Sequence, residues 1–185
     1  MEVLIIFLCW ILGSLNGSLF TIRLMKWNNI IHQGSGNPGA TNMLRLYGVK
    51  AGFFVFLFDV AKSFLPIYIA KYYQVNPITL SYCVVASIIG HCFSPFLSFH
   101  GGKGVATFLG GLFALNPVFG LYASSIWMSV YLATSLAALS SLCMVMFMAG
   151  CLFNTSSTTG LLIALFFIFI RHQSNWLRWR ETLKS

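Results

Sequence analysis

Long apolar runs alternate with short polar stretches along the chain, and each run predicts a helix. The first run covers Val3 to Ile22, and the second covers Ala51 to Ala70 with Asp59 and Lys62 inside it. Thr79 to Phe99 is the third, interrupted by Gly90, His91 and Pro95. Gly104 to Leu115 is short for a crossing and ends at Asn116-Pro117. Val118 to Ala133 and Leu136 to Phe153, parted only by Thr134-Ser135, precede a last run from Gly160 to Ile170. A membrane helix needs about 20 predominantly apolar residues. The pattern therefore predicts an all-α, polytopic integral membrane protein with about seven transmembrane helices. Six spans plus a re-entrant piece is the alternative, since non-helical backbone is tolerated where protein covers it. The first run lacks a basic leading segment and a small-residue cleavage site, so it does not read as a cleavable signal. With such short loops, residues 1–185 form a single membrane-embedded domain.

Composition supports that reading. Hydrophobic residues make up 58% of the 185 residues and charged residues 8%, against roughly 25% charged in ordinary globular domains. Mean hydropathy is +0.82. So few charges cannot cover a water-facing surface, and the same numbers exclude disorder. The net charge of +8 would suit nucleic acid, but the cations sit in interhelical loops and the C-terminal tail. If the N-terminus is outside and the spans alternate, Arg23, Lys26, Arg45, Lys50, Lys103, Arg171, Arg178, Arg180 and Lys184 all lie on the cytoplasmic side. Only Lys71 lies outside, which by the positive-inside rule predicts N-out and C-in. Nucleic acid is not an expected partner, whereas membrane lipid is.

Glu2, Asp59 and Glu181 are the three acids, so paired-carboxylate and two-metal chemistry have almost nothing to use. Cys9, Cys83, Cys92, Cys143 and Cys151 are scattered through apolar runs without a CxxC pair, which predicts inert thiols and no zinc site. No metal and no cofactor is expected. An HxxxxD dyad is also absent, because Asn37, Phe96, Val105 and Leu177 stand five places beyond the four histidines.

Two polar segments are rich in glycine. Gly34 to Asn42 reads GSGNPGATN, with Arg45 just beyond. Closely spaced glycines let backbone N–H groups converge into an anion nest. Ser35, Asn37, Thr41 and Asn42 add side-chain donors, and Arg45 adds a fork for phosphate oxygens. A flexible turn with a capping asparagine would use the same residues. His100-Gly101-Gly102-Lys103-Gly104 is the second segment. It is not a P-loop, since Leu97 and Gly104 stand where that motif needs Gly and Ser or Thr. It offers a lysine between glycines ahead of a helix N-terminus, or else a cation at a span boundary. Asp59 and Lys62 share a helix face and would pair, or contact a substrate. His91 carries the same alternatives. In the tail, Arg171, His172, Asn175 and Arg178 recur at helical spacing around Trp176 and Trp179, as an interface anchor or as a polar face turned toward the loops.

SGNPGATNMLR, FDVAKSFLP, GHCFSPFLSFHGGKGVAT and RHQSNWLR, in that order, resemble the signature segments of the PlsY-type acyl-phosphate:glycerol-3-phosphate acyltransferases. The chain departs from that pattern at Ser63, at Pro95, at Leu132 before the TSLAAL stretch, and in the tail, where Thr182 and Lys184 occupy the places of a G-x-E. The resemblance implies an enzyme of the bacterial inner membrane with seven helices and a cytoplasmic active site. It implies transfer of an acyl group from acyl phosphate to the 1-hydroxyl of sn-glycerol 3-phosphate, giving lysophosphatidic acid and phosphate, the first step of phospholipid biosynthesis. Implied partners are those two substrates and the enzyme that forms the acyl phosphate. Lys103, Arg45, Ser35, His172 and Asn175 become the expected catalytic residues. Gly36, Asn37, Gly39, Thr41, Asn42, His91, Gly101, Gly102 and Ser135 become the expected substrate-binding residues. A small-anion transporter would use similar loops, but it should place its site near the midplane, often with internal repeats, and none is visible. A structural assembly factor would leave the glycine-lysine loop unexplained.

Overall fold

The structure is a computed structural model that describes residues 1–27, 33–152 and 157–173. The described residues are helical and contain no strand: eight α-helices and one 3-10 turn. The first apolar run is two helices rather than one, α1 (Glu2–Ser14) and α2 (Gly17–Met25), bent by 41°. Asn16 causes the break. Its backbone is extended and its side chain accepts the Leu19 amide at 2.9 Å, starting a new helix where the first could have continued.

The third helix, α3 (Ala40–Tyr72), begins eleven residues before the expected Ala51, since its first turns lie in the polar stretch (51 − 40 = 11). Gly48, at φ 85°, divides it into a short leading piece and a long apolar one. Asn76-Pro77 and Asn116-Pro117 start α4 (Pro77–Cys92) and α6 (Pro117–Thr134), each asparagine capping an amide and each proline at the first helical position. A 3-10 turn (Pro95–Leu97) follows α4, and α5 (Val105–Leu115), α7 (Ala137–Cys151) and α8 (Thr158–Arg171) lie within a residue or two of the predicted runs.

Most of α4 is buried, and α1, α3, α5 and α8 pack around it. Close approach to α1 requires a small residue: a Cβ at Gly90 would collide with the Trp10 carbonyl. Ile88, Phe108, Met144, Met148 and Ile168 fill the main core, with α6 and α7 outermost against α5 and α8. A smaller cluster of Ile22, Met43, Ala51 and Val55 lies under the polar stretch, closed by Trp27 stacked on Tyr47 at 4.3 Å. Outward-facing Phe53, Leu57, Leu121, Phe147 and Phe166 give the bundle an apolar exterior. By length and composition, α3 and the Pro77–Leu97 segment can each cross a membrane, and α1 with α2 makes a third crossing if the bent pair is one span.

Candidate active site

The loop before α3 is folded by its own side chain. Asn42, buried in the first turn of α3, accepts the Ser35 amide through Oδ1 at 2.9 Å and donates Nδ2 to the Gln33 carbonyl at 3.0 Å. Gly34 and Gly36, at φ 59° and 70°, supply the left-handed turns that closure requires. Gly36 N–H donates to Gln33, and Gly39 N–H donates to Asn37. This corrects the expected nest, because these amides serve the loop rather than a ligand. It also moves Asn42 from the expected donors to the loop's internal fold. The start of α3 has no side-chain cap at Gly39, and Ser35, Asn37 and Thr41 are all partly accessible. Arg45 is exposed one turn further on.

The loop before α5 is built differently. Gly101 and Gly102 donate their amides to the Cys92 and His91 carbonyls at 3.1 and 3.2 Å, satisfying orphan groups at the end of α4. A Cβ at Gly102 would strike His91 Nε2, so only glycine lies this close to the imidazole. The other faces of the two peptides are held by Arg171, whose Nη2 and Nε donate to the Gly101 and Gly102 carbonyls at 2.8 and 3.2 Å. Both amides and both carbonyls of these glycines are therefore engaged within the protein. Gly104, at φ 84°, starts α5 without a side-chain cap, leaving the helix N-terminus beside half-buried Lys103.

His172 is buried just past the end of α8. Its Nδ1 faces the Ile168 carbonyl at 2.8 Å. A carbonyl only accepts, so the proton is on Nδ1 and the neutral ring keeps its lone pair on Nε2. Burial pushes the imidazole down to about 4, the Ile168 hydrogen bond opposes this, and the charges of Lys103 and Arg171 push it lower. Arg171, the residue before His172, in turn holds the two glycines that precede Lys103.

His91 lies beneath this loop, in the last turn of α4, with Nδ1 2.7 Å from Lys62 Nζ. Its expected place among substrate contacts is revised: one ring nitrogen faces Lys62 and the other underlies Gly102. Ser135 is exposed in the turn between α6 and α7, where its amide caps α6 through the Tyr131 carbonyl at 2.8 Å. It is not drawn into either loop. Asn175 lies outside the described residues. Two contributors were not expected from sequence, Arg171 as a loop clamp and Asn16, whose Nδ2 donates to the Pro38 carbonyl at 3.1 Å. A lone asparagine inside an apolar run was the available signal for the second.

A family model described as glycerol-3-phosphate acyltransferase matches residues 3–182. The glycerol-3-phosphate acyltransferase of Legionella pneumophila strain Philadelphia 1 is 32% identical over 180 residues, covering 95% of this chain and 65% of that protein. The chain thus spans slightly less than two thirds of that relative. The glycerol-3-phosphate acyltransferase of Coxiella burnetii strain Dugway is 34% identical over 182 residues, covering 97% of this chain and 94% of that protein. Among solved structures, the glycerol 3-phosphate form of PlsY, an integral membrane glycerol 3-phosphate acyltransferase, superposes with a TM-score of 0.87 at 30% identity, covering 98% of this chain and 92% of PlsY. The lysophosphatidic acid form of PlsY gives 0.88 at 31% identity with the same coverage.

Proposed function

The chain belongs to the glycerol-3-phosphate acyltransferase family, and from that premise we propose that it transfers an acyl group from acyl phosphate to the 1-hydroxyl of sn-glycerol 3-phosphate. The observation that carries this reading is the loop before α5, where Arg171 clamps the Gly101 and Gly102 carbonyls and half-buried Lys103 precedes an uncapped helix N-terminus. Such a site holds phosphate oxygens. Two phosphate-bearing reactants repel each other, and the main work of catalysis is to hold them in register against that repulsion. Lys103 and Arg45 bind phosphoryl oxygens, with Ser35, Asn37 and Thr41 as neutral donors. His172 presents Nε2 as an acceptor that orients the glycerol hydroxyl, together with Asn175.

The hydroxyl oxygen attacks the acyl carbonyl carbon, the bond from that carbon to the phosphate oxygen breaks, and its electron pair leaves with phosphate. The hydroxyl proton passes to a phosphate oxygen of the donor. Lysophosphatidic acid and hydrogen phosphate result, without a carboxylate base or a covalent enzyme intermediate.

A cleft of about 700 Å³ lined by Leu15, Leu19, Phe20, Phe58 and Phe96, with Arg23 among its walls, suits the acyl tail and its lateral entry from the inner leaflet. In this reading α1 and α2 form one bent crossing, the chain crosses the inner membrane seven times from an outside N-terminus, and both glycine-rich loops face the cytoplasm. The enzyme then takes its donor from the acyl-phosphate-forming enzyme and performs the first step of phospholipid biosynthesis. Purified protein given palmitoyl phosphate and glycerol 3-phosphate should release lysophosphatidic acid and phosphate in equal amounts. No product from acyl phosphate, but product from an acyl thioester, would overturn the choice of donor.

A further inference from the structure

Asp59, Lys62 and His91 form a buried polar cluster that the proposed chemistry does not use. All three are buried, at relative exposures of 1, 7 and 4%. Lys62 Nζ lies 2.9 Å from Asp59 Oδ1, 2.7 Å from His91 Nδ1 and 2.7 Å from the Leu15 carbonyl. The Asp59 contact is an ion pair without a well-aligned hydrogen bond. An ammonium has three protons, and three partners surround this one.

The partners lie on α3, on α4 and in the break between α1 and α2. Leu15 is at the break between α1 and α2, where the Leu19 amide has turned to the Asn16 side chain, leaving the Leu15 carbonyl for Lys62. The next residue, Asn16, holds the Pro38 carbonyl of the loop before α3. On the other side, His91 accepts the Gly102 amide through its carbonyl and packs its ring under the same glycine. A second strut links the same parts: Ser94, between α4 and α5, donates to the Ser14 carbonyl at 2.6 Å. Lys62 is thus two residues removed from one phosphate-facing loop and one residue removed from the other.

Stability alone is a poor reason for this pair. Desolvating two charges offsets most of their attraction, and apolar replacement of a buried pair is often neutral or stabilising. What the pair supplies is direction, since an ammonium fixes three acceptors at once.

We infer that the Asp59–Lys62–His91 cluster positions both phosphate-facing loops relative to each other, so that Lys62 sets the spacing of the two bound phosphates without touching either. This rests on the acyl-transfer reading above and names positioning residues for the same site.

The test uses the full-length protein in detergent or liposomes. Lys62→Met leaves Asp59 buried and unpaired, so it should lower both melting temperature and turnover. Asp59→Asn with Lys62→Met removes both charges. It should melt within a few degrees of the wild type yet still turn over about a hundredfold more slowly, with KM raised for both substrates together. Recovery of wild-type turnover and both KM values in the double variant would overturn the inference.

If the double variant fails to fold, His91 decides. His91→Asn keeps an acceptor near the Nδ1 position and should retain most turnover, whereas His91→Leu should lose turnover as the double variant was expected to. Equal activity in these two would also overturn it. A readout independent of turnover separates the failure of this inference from that of the acyl-transfer reading. In a cysteine-free background, single cysteines at Gln33 and His100 should both label faster when Lys62→Met is added. A wild type that makes no lysophosphatidic acid counts against the activity. Unchanged labelling at both positions counts against the positioning.

Discussion

The loop before α3 is closed from within, whereas the loop before α5 is clamped from outside. Asn42 ties the first together through Ser35 and Gln33, seven and nine residues upstream. The second has short internal hydrogen bonds, such as His100 Nδ1 to the Ser98 carbonyl at 2.7 Å, but its glycines are held by distant parts. It lies on the end of α4 through the His91 and Cys92 carbonyls and is pinned from above by Arg171, some seventy residues away in sequence. Yet both end at a helix start that lacks a side-chain cap, Gly39 for α3 and Gly104 for α5. The shared end is where the proposed function places the phosphates, and the different supports decide how each loop should fail. A loop folded by a local side chain fails locally. One folded by distant parts fails with them.

The largest effect should come from the clamped loop. Lys103→Ala removes a half-buried cation beside the start of α5, with glycine on both sides, so no core cavity is left. Turnover per correctly inserted protein should fall about a hundred- to a thousandfold, with melting temperature nearly unchanged. Lys103→Arg should rescue poorly, because a planar fork replaces a compact ammonium on a crowded loop. Arg45→Ala in the other loop sharpens the contrast. Arg45 is exposed, so its contribution should weaken as salt is added while that of Lys103 should not. A salt response shared equally by the two positions would mean the loops are equally solvated, against the structure.

Next in size are the supports themselves. Asn42→Ala removes the acceptor of the Ser35 amide and one of the two donors to the Gln33 carbonyl, and because both groups are only part-buried the cost should lie at the low end of about 1–3 kcal/mol. That loss should appear as lower turnover and a raised KM, while the cysteine labelling rate at His100 in the loop before α5 stays at its wild-type value. Arg171→Ala should do the reverse, raising the labelling rate at His100 and leaving that at Gln33 unchanged. Cross-effects of equal size would show that the two loops fold as one unit.

Much of this was legible in the residues. The apolar runs located α5 to α8 and the start of α4 to within a few residues, because in a chain with so few charges each polar interruption marks a helix end, but α4 stops at Cys92, seven residues short of the expected Phe99. The first break was not legible. Leu15-Asn16-Gly17 lies inside an apolar run, and only the tertiary partners of Asn16 and Leu15, Pro38 and Lys62, make a bend there favourable. The early start of α3 was hidden for the opposite reason: Ala40 to Tyr47 reads as polar loop because its apolar residues cover only the small cluster around Met43 and Val55. Ser35, Arg45, Lys103 and His172 stood out as candidates from residue chemistry and resemblance. The destinations of the glycine amides were not readable. An N–H in a glycine-rich run reads as available until a carbonyl from α4, or an asparagine from the next helix, is seen to accept it.

The smallest expected effect concerns acid, and it tests whether the clamp that orders the second loop also sets the state of His172. Burial, aided by Lys103 and Arg171, lowers this imidazole from 6.5 to about 4. A depressed folded-state pKa contributes stability that is fully present above the unfolded value. That stability is lost as pH falls from 6.5 through about 4, because the unfolded chain takes up the proton first. The melting temperature should therefore decline across that window in the wild type and decline less in His172→Phe. Turnover should show no inflection from His172 between about pH 5.5 and 8, since the ring stays neutral throughout and its Nε2 remains an acceptor. Lys103→Ala removes one of the charges that lower the pKa, so the stability loss should end at a higher pH than in the wild type. The first loop carries no buried imidazole among the described residues, and Asn42→Ala should leave the acid limb of the melting curve where it is. An inflection in turnover near pH 6.5 that disappears in His172→Phe would show the imidazole titrating as if solvated. In that case the second loop would be as open as the first, and the distinction between them would fail.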